Sequence, residues 1–460
     1  MGLTPFLMWE RALAIHAKQV LTDIGWQSDV RIVVHNGHIQ SLQAGVRPQP
    51  DDECHTTILP SMPNLHSHAF QRGMAGLAEM PGSTSDNFWS WRDIMYRFAL
   101  SVTPDDVEAI AAQLYVEMLE AGFTRVGEFH YLHHAPDGSP YANSAEMATR
   151  LAAAALDTGI GLTLLPVFYA HSGFGGQSPG EGQRRFITSL SSFERLLSDT
   201  QDAVKPIKNA VVGIAPHSLR AVTPEELVAL QKLDFDGPIH IHVAEQTGEV
   251  DACLAWSGKR PVEWLLDHMD VNAHWCFIHV THMTDVETRR MAEAGVIAGL
   301  CPITEANLGD GTFPAGDFSR YGGRFGIGSD SNVLIGLADE LRQLEYSQRL
   351  SHRARTVLAS GDRSTGRSLI EDAMTGGGLA LHAKTGLAKE KPYNALSLKI
   401  RHDLLYDADR SVDHWIFANG ADIDCVWMEG DRLVTGGKHR ARQAISSRFH
   451  RAMQPLLARI

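Results

Sequence analysis

Long apolar runs, an export signal and paired cysteines are all missing from this sequence of 460 residues. No stretch approaches the roughly 20 apolar residues that cross a bilayer, so we predict no membrane span. The N-terminus has no basic region followed by an apolar core, and the cytoplasm is therefore the expected location. The five cysteines are widely spaced without a C-x-x-C pair, which argues against a disulfide framework and favours buried thiols.

Positive charge is also scarce, since the formal net charge is −13. Nucleic acids and anionic membranes bind basic surfaces, so neither is expected as a partner. An anionic substrate would have to be held by local arginines against an unfavourable overall field.

Short apolar segments alternate with helical ones from residue 58 to about 335, a pattern typical of βαβ units. Eight β/α units in series predict a TIM (β/α)8 barrel, in which side chains at the C-terminal ends of the strands converge on one face. The eight strands are predicted at residues 57–60, 124–130, 162–169, 210–215, 238–243, 275–280, 296–301 and 324–328.

Both chain ends are predicted to form one small composite β-sandwich domain around the barrel. Residues 1–57 supply its N-terminal part, with a hairpin turn at Asn36-Gly37, and residues 388–460 supply its C-terminal part and a tail. Residues 58–387 form the barrel domain, and strands are expected at 415–420 and 426–431. The Gly-rich stretch 172–182 is either a lid or a plain surface loop.

Polar side chains at the predicted strand ends form one set. His66 and His68 follow the first strand, His242 lies on the fifth, and Asp330 follows the eighth. Singly, a histidine here is more often a core or surface residue, and the aspartate could simply cap a turn. Jointly, three His and one Asp predict a site for a single zinc ion, although iron or manganese would also suit these ligands.

The same strand ends supply groups for proton transfer. A bound zinc ion can lower the pKa of water to ~7. Glu245, three residues after His242, fits the general acid and base. His279 would orient the attacking hydroxide or stabilise the developing oxyanion, and Asp330 would both bind metal and share the proton. Lys205 and Lys208 precede the fourth strand, at the wrong end to bridge a second metal.

The sequence resembles the mononuclear deaminase branch of the amidohydrolase superfamily over residues 1 to about 435. The motifs that carry the resemblance are Pro63-Asn64-Leu65-His66-Ser67-His68, His242-Val243-Ala244-Glu245, Ile278-His279-Val280-Thr281-His282 and Gly328-Ser329-Asp330-Ser331.

Within that branch, the sequence is most similar to the formimidoylglutamate deiminases of histidine degradation. The resemblance rests on residues 68–72, 88–92, 127–131 and 216–220. It implies a homodimer and hydrolysis of N-formimino-L-glutamate to N-formyl-L-glutamate and ammonia. It also implies that the substrate is contacted by Gln71, Arg92, Tyr131, His217 and Arg220.

The residues themselves agree with a small dicarboxylate substrate, because guanidinium groups such as Arg92 and Arg220 bind carboxylates in bidentate fashion. Two solvated surface arginines are the alternative, and Trp89 and Trp91 either pack the loop or contact the substrate. A deaminase of a purine, pterin or other aminated heterocycle would share the zinc chemistry but have little use for two arginines. A non-catalytic barrel stabilised by metal is a third possibility.

Overall fold

The structure is a computed structural model that describes residues 13–79, 88–401 and 408–459, with only the backbone described at 88–90. Within these ranges the chain forms a parallel barrel and one composite sheet, so the predicted fold class is confirmed. No helix in the described part is both long and apolar enough to cross a membrane.

Strands from the two chain ends form a single eight-stranded sheet in the order β17-β16-β15-β14-β4-β1-β2-β3. Its central strand β4 pairs in parallel with β1 and antiparallel with β14, so the N-terminal and C-terminal segments are hydrogen-bonded to each other. The strands are β1 (Leu13–Thr22), β2 (Gly25–His35), β3 (His38–Gln43), β4 (Glu53–Pro60), β14 (Ala395–Ile400), β15 (Ala421–Met428), β16 (Asp431–Thr435) and β17 (Lys438–His439).

The turn between β2 and β3 agrees with the sequence. Asn36 and Gly37 have φ values of 49° and 81°, the left-handed conformations that a tight hairpin turn needs. The sheet covers its own apolar cluster, which includes Ile15, Ile58 and Trp427, apart from the larger core of the barrel.

The barrel is closed by parallel pairing from β5 to β13. Bridges between Ile214 and Ile239 and between Ser67 and Asp330 join its two sheets. The fourth strand position is split into β8 and β9. The barrel strands are β5 (Met62–Ser67), β6 (Phe123–His130), β7 (Gly161–Phe168), β8 (Val211–Val212), β9 (Ala215–Pro216), β10 (Ile239–Val243), β11 (Trp275–His279), β12 (Ile297–Leu300) and β13 (Arg324–Ile327).

Helices surround the barrel and connect its strands. The capping boxes expected at Thr223 and Thr284 are confirmed. Short 3-10 helices lie at Ala69–Met74 and Glu181–Gln183. The α-helices are α1 (Phe88–Ala99), α2 (Pro104–Glu120), α3 (Glu146–Thr158), α4 (Leu190–Val204), α5 (Pro224–Leu230), α6 (Thr247–Ser257), α7 (Pro261–His268), α8 (Asp285–Glu293), α9 (Pro302–Leu308), α10 (Ala315–Arg320), α11 (Leu337–His352), α12 (Thr365–Ala380), α13 (Ala408–Ala418) and α14 (Arg442–Leu457).

Three local predictions were wrong. Residues 57–60 belong to β4 of the composite sheet, and the first barrel strand is β5, which begins after Ser61. Residues 415–418 end helix α13 instead of forming a strand, because Val412, Trp415 and Ile416 bury one helical face. Cys54 is exposed, whereas the other four cysteines are buried free thiols.

Candidate active site

A pocket opens at the C-terminal ends of the barrel strands. It brings together residues from at least six strand ends and from helix α1, which lies beside it. Every residue predicted from sequence as catalytic or substrate-binding lines this pocket. Of the predicted metal ligands, His68, His242 and Asp330 line it. The lining residues are His68, Gln71, Trp91, Arg92, Met95, Tyr96, Tyr131, Tyr169, Phe186, His217, Arg220, His242, Glu245, His279, Leu308 and Asp330.

Four side chains at the base of the pocket direct nitrogen and oxygen atoms toward one point. His242 Nε2 lies 3.1 Å from His66 Nε2, and Asp330 Oδ1 lies 3.4 Å from His66 Nε2 and 3.3 Å from His68 Nε2. Ligands about 2.0–2.2 Å from a zinc ion in tetrahedral geometry are separated by about such distances. The spacing of these four residues therefore fits a single metal ion.

Hydrogen bonds fix two of these imidazoles in the tautomer that binds metal. His68 Nδ1 donates to the carbonyl oxygen of Phe129 at 2.9 Å, and His242 Nδ1 donates to that of His217 at 2.9 Å. Each Nε2 atom therefore presents a lone pair to the common point. His66 belongs to the same His-rich group, and its side chain is fully buried.

The charge states also suit a cation. Burial lowers the pKa of the His66 imidazole to about 3, and it lowers the pKa values of His68 and His242 as well. Burial acts to raise the pKa of Asp330, but the nearby His66 outweighs it and the net shift is downward. Neutral imidazoles and an ionised carboxylate are the forms that bind divalent metals.

A polar network holds the ends of β5 and β13 together and keeps two residues there in strained backbone conformations. Asp330 and Asn332 have φ values of 44° and 57°, a conformation that non-glycine residues rarely adopt. The Asn332 amide donates to Ser67 Oγ at 3.2 Å, to the His68 carbonyl at 3.0 Å and to the Asp330 carbonyl at 2.9 Å. This arrangement places Asp330 beside the histidine pair.

Close packing of the two strands requires glycine at position 328. A Cβ atom on Gly328 would lie 2.7 Å from both the backbone nitrogen and the backbone oxygen of His66. Because real side chains do not approach that closely, any larger residue would displace His66.

Glu245 and His279 face each other beside the metal ligands. His279 Nε2 lies 3.7 Å from Glu245 Oε1 and 3.9 Å from Asp330 Oδ2. Burial raises the pKa of Glu245, and the charge of His279 opposes that shift. For His279, burial acts to lower the pKa, but Glu245 and the neighbouring carboxylates raise it to about 10. The arrangement can therefore hold a proton between two buried groups and pass it to a bound molecule.

The outer part of the pocket carries the predicted substrate-binding residues. Gln71 Nε2 donates to the Tyr131 hydroxyl at 2.9 Å, while Gln71 Oε1 is buried without a hydrogen-bond partner among the described residues. The Arg92 guanidinium lies 5.4 Å from the centre of the Tyr96 ring. His217 packs edge-on against Tyr169, with their ring centres 4.6 Å apart.

Arg220 is held near the catalytic carboxylates without a direct partner. No hydrogen bond or ion pair of its guanidinium is present in the described part of the chain, and its Nε atom is buried. Burial acts to lower the pKa of Arg220, but the charges of Glu249 and Glu245 outweigh it and raise the pKa. A cation in this position can receive an anionic group of a ligand.

Several residues near the reacting centre were not singled out from sequence. Tyr96, Tyr169 and Phe186 line the pocket, and Glu305 and Asp310 lie buried behind it. Tyr169 directly follows the third barrel strand, so it could have been found by its place at a strand end, whereas the others lie in helices and loops. Trp91 lines the pocket, and the side chain of Trp89 lies outside the described residues.

Comparisons with known proteins agree with the site. A model of the amidohydrolase family matches residues 57–375, and a model of the N-terminal domain of formimidoylglutamate deiminase HutF matches residues 12–56. A formimidoylglutamate deiminase from Pseudomonas aeruginosa is 43% identical over 96% of this chain and 99% of its own length. An 8-oxoguanine deaminase from the same organism is 27% identical, over 92% and 91% of the two chains. The crystal structure of an amidohydrolase from Brucella melitensis is 58% identical, covers 97% of this chain and 100% of its own, and superposes with a TM-score of 0.95.

Proposed function

The chain belongs to the amidohydrolase family and is a hydrolytic deiminase, and we propose that it acts on N-formimino-L-glutamate. The products are N-formyl-L-glutamate and ammonia, and the reaction belongs to histidine degradation. The observation that carries the proposal is the pairing of a His-rich metal site with Arg92 and Arg220 in one pocket of an acidic protein.

One divalent metal ion, zinc in the first instance, would be held by His66, His68, His242 and Asp330. When bound, such an ion lowers the pKa of water and so supplies a nucleophile near neutral pH. The spacing of the four ligand atoms and their protonation states support this choice of ligands.

Glu245 moves the protons of the reaction. Hydrolysis adds water to the formimino carbon, and the tetrahedral carbon then expels its terminal nitrogen as ammonia. The Glu245 carboxylate accepts a proton from the attacking water and delivers it to the terminal imino nitrogen, which becomes an amino group. Asp330 accepts the second proton, from the hydroxyl of the tetrahedral carbon, and this proton passes to the same nitrogen, so that ammonia leaves as the formyl C=O bond forms. The raised pKa of this buried carboxyl makes the proton easier to hold between the two transfers.

His279 stabilises the oxygen that develops on the same carbon. Its Nε2 atom lies within 4 Å of both Glu245 and Asp330, so a donated N–H can reach a group lodged between them. The substrate carboxylates are bound farther out by Arg92 and Arg220, with Gln71, Tyr131 and His217 completing the contacts. Bidentate contacts to two carboxylates orient the molecule with the formimino group toward Glu245.

Ammonia release by the metal-loaded protein tests the proposal. We expect rapid release from N-formimino-L-glutamate and none above background from guanine, 8-oxoguanine or adenosine, and mass spectrometry should identify N-formyl-L-glutamate. Release from 8-oxoguanine but not from N-formimino-L-glutamate would contradict the proposal and favour a heterocycle deaminase, as in the 27% identical relative. Elemental analysis of the same sample gives the metal and its stoichiometry.

A further inference from the structure

Helix α9 contributes none of the predicted site residues, yet its first turn contacts the strand ends on both sides of it. Thr304 Oγ1 lies 3.0 Å from Ser331 Oγ and 3.3 Å from the Ser329 carbonyl, both in the segment that carries Asp330. The next residue, Glu305, reaches in the other direction toward His279. The helix therefore links the two strand ends that hold Asp330 and His279.

The contact between Glu305 and His279 is buried and directional. Glu305 Oε1 lies 3.4 Å from His279 Nδ1 and also accepts a hydrogen bond from the Cys301 backbone nitrogen at 2.9 Å. The relative exposures of the two residues are 5% and 1%. The Cys301 hydrogen bond fixes the carboxylate, so the oxygen that faces the imidazole cannot rotate away freely.

Each ring nitrogen of His279 faces a different partner. Nδ1 faces Glu305, while Nε2 faces Glu245 and Asp330 across the pocket. A carboxylate only accepts hydrogen bonds, so Glu305 requires the hydrogen on Nδ1 and keeps the plane of the ring aligned.

We propose that Glu305 is a positioning residue that keeps a hydrogen on Nδ1 of His279 and orients the ring so that Nε2 points at the reacting carbon. The inference rests on the proposed function for its reaction, but the contact itself does not depend on the substrate. Carboxylates that orient an imidazole in this way act through the histidine and touch no reacting atom.

Substitution of Glu305 by Gln and by Leu tests the role, with the holoenzyme and N-formimino-L-glutamate. Gln keeps an acceptor for Nδ1 but removes the charge, and Leu removes both. We expect kcat to fall in the order Glu, Gln, Leu, by about 10-fold for Gln and about 10²-fold for Leu, the range usual for loss of a residue that orients a histidine. KM and metal content should stay within about threefold, because Glu305 contacts neither substrate nor metal ligand.

Glu340→Gln is the matched control. Glu340, in helix α11, is fully buried and accepts a hydrogen bond at 3.0 Å from the backbone nitrogen of Ile303 in α9, and none of its contacts among the described residues is with His279. Burial raises the pKa of Glu340, and Gln is nearly isosteric with its side chain. Wild-type kcat in Glu340→Gln supports the proposal, whereas an equal loss in both variants would assign the effect to packing of α9 and overturn it.

A second measurement separates this proposal from the proposed function. In spectra of the holoenzyme with ¹⁵N-labelled histidine, the His279 signal is identified by its absence in His279→Gln. We expect a hydrogen on Nδ1 in the wild type and its loss or rapid exchange in Glu305→Leu. A wild-type His279 protonated on Nε2 alone, or kcat unchanged in both Glu305 variants, would overturn the proposal. If the wild type releases no ammonia, only the proposed function fails, and these spectra still decide the role of Glu305.

Discussion

Glu245 is the residue whose replacement should separate chemistry from metal binding. In Glu245→Gln the amide cannot shuttle a proton, so we expect kcat to fall by about 10²–10⁴-fold. The ligands His66, His68, His242 and Asp330 are unchanged, and the metal content should match that of the wild type. Steady-state ammonia release and elemental analysis check this together. Substantial residual turnover in a metal-loaded variant would remove Glu245 from the proton transfer.

Arg220 should determine the affinity for the dicarboxylate. Replacement by Met keeps much of the apolar length but removes the charge, and losing a buried charged hydrogen bond costs about 2–5 kcal/mol. We therefore expect kcat/KM for N-formimino-L-glutamate to fall by at least about 30-fold, with metal content unchanged. Kinetics on both the dicarboxylate and N-formiminoglycine, which has a single carboxylate, provide the comparison. Equal kcat/KM in variant and wild type would exclude Arg220 from the binding site.

The residues at strand ends were predictable, whereas those that support them were not. His242, His279 and Asp330 could be located because parallel strands in a barrel end on one face, so their order in the chain predicts their proximity. Glu305 lies inside a helix and Asp310 in a loop. Their approach to His279 and Gln246 depends on packing angles that the sequence pattern does not contain.

At the scale of elements, the junction between β5 and β13 should be sensitive to Asn332. Replacement by Ala removes the contacts of the amide NH2 with three acceptors and the hydrogen bond accepted from Ser329 Oγ at 2.6 Å, in a buried network. We expect a loss of about 2–4 kcal/mol in unfolding free energy and weaker metal retention. Denaturant unfolding and metal content after dialysis measure the two effects.

Asn36→Ala is the control for Asn332→Ala. Asn36 has a similar positive φ of 49° but lies exposed in the hairpin turn, where its amide contacts the His35 imidazole at 3.1 Å. Its replacement therefore costs mainly the energy of the backbone conformation, because a solvent-exposed hydrogen bond contributes little. If both variants lose the same stability, the strain at position 332 explains the effect and the network contributes little.

Element boundaries show where sequence patterns reach their limit. The sequence predicts one strand at residues 57–60 that runs into a loop, but the structure has two strands there, β4 and β5, with Ser61 between them. The Ser61 and Thr124 hydroxyls are hydrogen-bonded at 2.6 Å where the chain passes from sheet to barrel. Helix α13 contains the aromatic and β-branched residues that favour strands, and the tertiary burial of one face overrides that preference. Both outcomes depend on partners distant in sequence.

For the molecule as a whole, Glu128 should give stability a specific pH dependence. Burial raises the pKa of Glu128 to about 8, although hydrogen bonds from the Ala69 backbone and Ser67 oppose the rise. Because this pKa is higher than the unfolded value near 4.3, the folded state holds the proton more tightly, and protonation of Glu128 stabilises the fold. The contribution is complete below the unfolded pKa and is lost as the pH rises through 8. Between pH 6 and pH 8 the wild type should therefore lose about 2–3 kcal/mol more than Glu128→Gln in urea unfolding. The same loss in both proteins would show that this carboxyl does not titrate there.

Net charge should determine how salt affects capture of the substrate. The chain carries −13 formal charges, and a dianion approaching it is repelled over about 30 Å at 0.01 M salt but only about 8 Å at 0.15 M. We expect kcat/KM for N-formimino-L-glutamate to rise about twofold or more between these salt concentrations, with little change in kcat. A fall in kcat/KM would mean that the arginines dominate the field at the pocket mouth.

The single residue Ser61 joins the central strand of the composite sheet to the strand that carries His66. Side chains alternate along a strand, so inserting or deleting one residue at this joint would rotate His66 out of the barrel interior. The accessory sheet is consequently not an exchangeable module. In chimeras, a transplanted sheet must therefore keep a junction of one residue. Otherwise His66 and His68 would point away from the site, even if every barrel residue were unchanged.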